Sequence, residues 1–262
     1  MNRIQAFEFS DQKWLPAFLR RYLRDLLQFH ISMDQTYSSI LPLLEEIIEK
    51  TGVRQINDFC SGYSGPWCYL SKELYKSGKV DLIYLSDLYP DTGALSAKDC
   101  NRDYLYYKEE PVDALRSVKT RNGLCTFFTC FHHFNEESAM ALLRSAQEQN
   151  CAVAIFEFTH RSWGQVVKML ATPIWVWTSI FFIKPFSWKR LFWSCVIPVV
   201  PFLYWWDGTI SHCRTYNVEE LMNLARRIPQ REGYKWKTGK KASKDIDGET
   251  ITYLLGYQTT WK

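Results

Sequence analysis

Ile56-Asn57-Asp58-Phe59-Cys60-Ser61-Gly62-Tyr63-Ser64-Gly65-Pro66 sets an acid near the end of an apolar run and follows it with small residues. Val53 to Cys60 reads as a short strand and Trp67 to Lys76 as a helix, so the stretch is a strand, a glycine turn and a helix. Small side chains let a ligand lie against the backbone, and the N–H groups at a helix start favour a carboxylate. Asp87 stands just after the next strand candidate, Val80 to Ser86, and 29 residues after Asp58. An acid there can accept hydrogen bonds from both hydroxyls of a ribose. A nucleoside-containing cofactor fits both features, and a tight turn without a ligand is the plainer alternative.

Outward from this turn the pattern repeats. Strand candidates Leu124 to Cys130 and Ala152 to Phe158 alternate with helical stretches Thr92 to Ala97 and Glu136 to Glu148. Strands alternating with helices predict an α/β fold with a doubly wound, mostly parallel sheet. At the C-terminal end, Gly233 to Thr238 and Thr250 to Thr260 flank a polar turn, which predicts an antiparallel hairpin at the sheet edge. Upstream, apolar residues from Trp14 to Phe29 recur every three or four positions opposite Arg20, Arg21 and Arg24, the period of an amphipathic helix. A second helix, Tyr37 to Lys50, is ended by Gly52. Residues 1–50 are thus expected to be helices capping an active site. Residues 51–262 are expected to form the main domain, interrupted by an apolar segment at 164–206.

The 262 residues are 47% hydrophobic and 23% charged, which excludes a disordered chain. A net charge of +4 argues against an extended phosphate-binding face and hence against nucleic acid. Eight cysteines include no CxxC pair, and no Cys/His grouping has zinc-ligand spacing, so reduced thiols in the cytoplasm and no metal are expected. Glu8 and Asp11 interrupt what would be the apolar core of a signal peptide.

The ribose argument alone does not separate a nicotinamide dinucleotide from S-adenosylmethionine. The missing G-x-G-x-x-G order and the closing hairpin stand against the first. The Asp58 to Gly65 turn, Asp87, Val112-Asp113-Ala114, Phe131-His132-His133-Phe134 and the C-terminal hairpin together resemble a class I S-adenosylmethionine-dependent methyltransferase over about residues 40 to 160 and 207 to 262. The resemblance implies a seven-stranded sheet whose last strand is antiparallel. It also implies that the cofactor is held by Asp58, Cys60, Gly62, Ser64, Gly65, Asp87 and Leu88. Asp113 and Ala114 would lie near the adenine, and Thr129 and Cys130 near the methyl donor. The sequence departs from the family's acid-x-Gly-x-Gly-x-Gly pattern, with Cys60 at the first glycine and Ser64 at the third small position.

Methyl transfer needs an in-line acceptor and, where the acceptor carries a proton, a base. His133 follows the fourth strand at the mouth where such sheets bind ligands and is the candidate base, with His132 beside it. Tyr37, His132, Arg161, Arg214 and Tyr216 are candidates for holding the acceptor, and Glu157 and His160 end the fifth strand at the same side. The plainer accounts are that Tyr37 packs, that Asn217 caps a helix and that Arg214 pairs with an acid.

Residues 166–206 carry Lys168, Lys184, Lys189, Arg190 and no acid, together with six of the eleven tryptophans. Met169 to Ile183 and Leu191 to Trp206 are each too short to span a bilayer, and Pro173, Pro185, Pro198 and Pro201 break them. Three readings compete: peripheral contact with the inner face of the membrane, with Lys184, Lys189 and Arg190 toward anionic lipid; a lid over the site; and a homodimer interface. The expected activity is methyl transfer to a small lipophilic acceptor. The alternatives are another transfer from the same cofactor and a non-catalytic module that keeps the fold.

Overall fold

Seven strands, β1 (Gln55–Phe59), β2 (Leu82–Ser86), β3 (Leu105–Tyr107), β4 (Leu124–Phe128), β5 (Ala152–Glu157), β6 (Tyr234–Ala242) and β7 (Thr250–Gln258), form one sheet in the order β3-β2-β1-β4-β5-β7-β6. The computed structural model describes residues 1–91, 103–118, 123–243 and 249–259. The first five strands pair in parallel, and β7 runs antiparallel between β5 and β6. Every residue of β4 and β5 is buried, as the near-continuous apolar runs of a parallel sheet covered on both faces require. The predicted α/β class, the parallel core and the C-terminal hairpin are all present. The three-residue strand β3 is too short for its alternation to register in the sequence, and the helix expected at 92–97 lies outside the described residues.

The helices are α1 (Ala17–Met33), α2 (Leu41–Thr51), α3 (Trp67–Lys76), α4 (Ala114–Ser117), α5 (Glu136–Glu148), α6 (Trp163–Lys168), α7 (Thr172–Ser179), α8 (Trp188–Leu191), α9 (Val199–Arg214) and α10 (Val218–Arg227). α3 and α5 have the bounds their sequence periodicity predicts. Gly52 ends α2 in the left-handed conformation, its N–H bonding the Ile48 carbonyl at 2.8 Å. The segment before α2 is a single 3-10 turn, Ser38–Ile40, because Pro42 supports an α-helical start only from Leu41 onward. Asn217 and Glu220 form a capping box at the start of α10, the plainer role foreseen for Asn217.

The chain divides into two compact units, Met1–His30 with Thr159–Tyr216, and Ile31–Phe158 with Asn217–Lys262. The division falls after His30 rather than near residue 50. α2 buries Leu43, Leu44, Ile47 and Ile48 and packs on β5 and β7, which places it with the sheet. In the first unit Leu19, Tyr22, Leu23 and Leu26 of α1 form a core with Val176, Ile180, Val200 and Leu203. The insertion therefore has its own inner face. Its prolines mostly start helices instead of breaking them: Pro173 opens α7, Pro198 is the N-cap of α9 and Pro201 lies in its first turn. Arg190 does not face outward as expected. It is 2% exposed, ion-paired to Asp25 at 2.6 Å and bonded to the carbonyls of Ile183 and Pro185. No described helix is long and apolar enough to cross a membrane.

Candidate active site

β1 lies between β2 and β4, so the strand order reverses beside it, and the crevice beyond the carboxyl ends of these strands is where open α/β sheets take ligands. The glycine turn sits there. Cys60, Gly62 and Gly65 are left-handed, with φ of 56°, 60° and 49°. Apart from the adjoining residues, no heavy atom of the described chain lies within 4 Å of where a Cβ would project from Gly62 or Gly65. The open space beside both residues is a cradle in which a ligand can approach the backbone. The Ser64 carbonyl accepts the Trp67 N–H at 2.9 Å and starts α3.

Asp58 lies beneath this turn rather than facing the cradle. Its carboxylate accepts from the hydroxyls of Ser61 and Thr126, each at 2.6 Å, and burial pushes its pKa up to about 7. Ser61 also receives the Ser86 N–H on its hydroxyl, and Ser86 donates to the Asp58 carbonyl, which ties the turn to the end of β2. Asp58, expected to touch the cofactor, thus acts as the buried fastener of the turn.

Asp87 follows β2 and reaches across to the turn. One carboxylate oxygen accepts the Gly62 N–H at 2.8 Å and the other the Tyr89 N–H at 2.8 Å. These bonds orient the carboxylate over the turn. The Asp87 carbonyl accepts the Val112 N–H, bringing Asp113 to the same region. Asp113 caps α4 through the Leu115 N–H, Ala114 behind it is buried, and Leu88 is exposed. Tyr107 of β3 donates its hydroxyl to the Gly62 carbonyl at 2.9 Å and accepts the Asp91 N–H.

At the end of β4, Thr129 is also left-handed, with φ 46°, and its hydroxyl bonds that of the fully buried Tyr37. Tyr37 packs edge-on against Phe128 and Phe158. Burial raises its pKa well above the ordinary phenol range, so it stays protonated. Burial and the neighbouring Cys60 thiol likewise push the Cys130 thiol up. The next turn, Phe131–His133, hangs on Glu157 of β5. One oxygen of Glu157 accepts the N–H groups of Phe131 and His132 at 2.7 and 3.2 Å, and the other meets His132 Nδ1 at 2.8 Å. Although burial opposes it, the His132 charge and hydrogen bonds hold the Glu157 carboxyl below its ordinary value. The His133 ring stacks on His132, centroids 4.4 Å apart, and is only half buried. Of the two histidines, His132 is the one that Glu157 holds directly.

The remaining predicted residues lie in the other compact unit. Arg214 is buried and ion-paired with Asp11 at 2.7 Å and Glu8 at 3.2 Å, the structural role that competed with acceptor binding. Tyr216 lies under the Arg3 guanidinium, 3.8 Å from its ring. Arg161 donates to the Thr215 carbonyl at 3.3 Å, and His160 donates its N–H to His212 Nδ1 at 3.0 Å. Glu157 pairs with His132 of the turn after β4. Sequence reasoning missed Ser61, Thr126 and Tyr107. A polar Thr126 inside the otherwise apolar Leu124–Phe128 run is the signal that points to the Asp58 network.

The glycines leave room for a ligand against the backbone, and Asp87 and Asp113 are acceptors of the kind that ribose hydroxyls and an adenine amino group call for, so the residues present fit S-adenosylmethionine. No family model matches the chain, and no curated protein matches its sequence. Among solved structures the chain is similar to the plantazolicin methyltransferase BpumL in complex with SAH (14% identity, 95% of this chain and 94% of that one, TM-score 0.60). It is also similar to the plantazolicin methyltransferase BamL in complex with a triazolic desmethylPZN analog and SAH (10%, 93% and 98%, TM-score 0.52). A third is human N-acetylserotonin methyltransferase in complex with SAM (11%, 92% and 57%, TM-score 0.51). The chain shares the fold of these methyltransferases.

Proposed function

We propose that the protein transfers a methyl group from S-adenosylmethionine to a small lipophilic acceptor. The observation that carries this reading is the pair of left-handed glycines at the strand-order reversal, with open space beside them and the Asp87 carboxylate held over the turn. Gly62 and Gly65 would lie against the methionine part, Asp87 on the ribose, Asp113 beside the adenine, and Thr129 with Cys130 along the methyl-donor side. When bound, the cofactor supplies an electrophilic methyl group on a sulfonium.

The chain's own contribution is orientation and proton handling. Glu157 locks His132, and the His132 ring supports His133, which takes the proton of a hydroxyl acceptor near neutral pH. Tyr37, protonated and buried, shapes the donor side through Thr129. The lipophilic class of acceptor is supported by the apolar exterior of the insertion, where Leu170, Ile174 and Phe182 are each more than 60% exposed. Such a surface suits an acceptor that partitions out of water.

Calorimetric titration with S-adenosylmethionine and with NADH, on wild type and Asp87→Asn, tests the reading. Asparagine keeps one acceptor for the turn's N–H groups while removing the charge. Saturable S-adenosylmethionine binding that weakens about 10- to 100-fold in the variant is expected, the worth of a charged hydrogen bond pair. Absence of S-adenosylmethionine binding to a folded wild type refutes the proposal.

A further inference from the structure

We infer that the outer face of the Met1–His30/Thr159–Tyr216 unit docks on the surface of an anionic phospholipid bilayer. This deepens the lipophilic-acceptor part of the proposed function by naming where the acceptor is met.

Trp163, Val167, Leu170, Ile174, Trp177 and Phe181 recur in steps of four and three along α6, the 3-10 turn Met169–Ala171, α7 and the turn just after it. All six are exposed, from 42% at Trp177 to 71% at Trp163. That period is one face of a helix, and here it is the face turned away from the core, since Val176 and Ile180 point inward. A second ridge, Trp188, Phe192 and Val196, steps by four along α8 and the π-helical turn Phe192–Val196, and is exposed as well. The Trp177 indole donates to the Ser194 carbonyl at 2.8 Å, so the two ridges lie side by side. An apolar face this broad is unusual on a monomer.

Charge identifies the occupant. Lys168, Lys184 and Lys189 are exposed around the ridges, and residues 166–206 contain no acid. Arg190, the other base, is consumed inside by Asp25. A second copy of the chain applied through this face sets lysine against lysine with no acid in the segment to neutralise them. Anionic headgroups complement the lysines, and exposed tryptophans favour the depth of those headgroups. Because no described helix can cross a bilayer, the ridges lie along its surface.

The test is co-sedimentation with phosphatidylcholine vesicles, with and without phosphatidylglycerol, of wild type, Leu170→Glu/Ile174→Glu and Lys184→Glu/Lys189→Glu. These side chains face water, so melting temperatures should be unchanged. Binding to phosphatidylglycerol vesicles is expected to fall about tenfold or more for each apolar residue replaced and about fivefold for each lysine lost. Wild-type binding that ignores phosphatidylglycerol, or no vesicle binding at all, overturns the inference. So does a dimer in sedimentation velocity that Leu170→Glu/Ile174→Glu dissociates. S-adenosylmethionine titration of the same preparations keeps the two proposals separate: its failure with vesicle binding intact refutes methyl transfer and leaves the docking face standing.

Discussion

Asp58→Asn is the most informative single change in the sheet unit, because it converts a buried carboxyl into a neutral group of the same shape. Burial raises the Asp58 pKa from 3.8 to about 7 despite the bonds from Ser61 and Thr126. Between those two values the native state holds a proton that the unfolded chain has released. The native state therefore binds more protons, and stability falls as pH rises through this window. At 1.36 kcal/mol per tenfold, the full penalty is about 4 kcal/mol, developed above pH 7 and absent near pH 4. Asparagine has no such penalty and can still bond both hydroxyls. Urea unfolding of wild type and variant at pH 5, 6, 7 and 8 reads the difference directly. The wild type should lose about 1.4 kcal/mol per pH unit relative to Asp58→Asn up to about pH 7, then run parallel to it. A difference that does not change with pH refutes the reasoning, and would mean that the hydroxyl bonds keep the buried carboxylate ionised.

Cys60→Gly should stabilise the protein by about 1 kcal/mol in the same assay, since a non-glycine residue at φ 56° is strained and glycine is not. Gly62→Ala should cost about 1 kcal/mol and also weaken S-adenosylmethionine binding, because the new methyl group enters the open space beside the turn. Glu157→Gln should destabilise by about 1–3 kcal/mol, seen as a lower melting temperature, because one of the two oxygens that meet the Phe131 N–H, the His132 N–H and His132 Nδ1 becomes an amide nitrogen in a site where both side chains are 1% exposed. His133→Ala should melt normally but lose turnover on a hydroxyl acceptor about 100-fold or more; unchanged turnover would leave positioning as the whole mechanism.

The parts of the fold legible in the sequence are those where period and length agree. β4 and β5 are largely apolar runs, interrupted only by Thr126 and closed by Glu157, and α3 and α5 carry clear helical faces, so their bounds come out nearly as read. The Gly62 and Gly65 turn with Asp87 is legible because glycine and a strand-end acid have few other uses together. Less legible are groups whose partners are far along the chain. Glu157 stands next to His160 and Arg161 in sequence, yet its strand brings it to the turn after β4, where three donors compete for its two oxygens. Arg190 sits in a basic run that reads as surface, while its partner, Asp25, lies on α1. Arg214 is decided by Glu8 and Asp11 in the same way. Pairing across such distances is a property of packing, and local composition carries no trace of it.

Two of the four left-handed non-glycine residues among those described, Cys60 and Thr129, lie where the ligand is expected. Cys60 directly follows β1 and Thr129 directly follows β4, adjacent strands, and both adopt left-handed backbone that L-residues with side chains avoid at a cost of about 1 kcal/mol or more each. For the β-branched Thr129 the conformation is rarer still. Surrounding bonds hold both in place. The Ser61 N–H bonds the Ser86 carbonyl just after Cys60, and the Thr129 N–H bonds the Phe156 carbonyl while its hydroxyl bonds Tyr37. A turn serving only to connect a strand to a helix has no reason to keep cysteine where glycine relaxes the chain. Cys60 does have a use if its side chain, beside Cys130, forms part of the wall of an occupied crevice. The departure from the glycine pattern is thus better explained as a fitted surface than as decay of the motif, and Cys60→Gly should gain stability while losing affinity for S-adenosylmethionine.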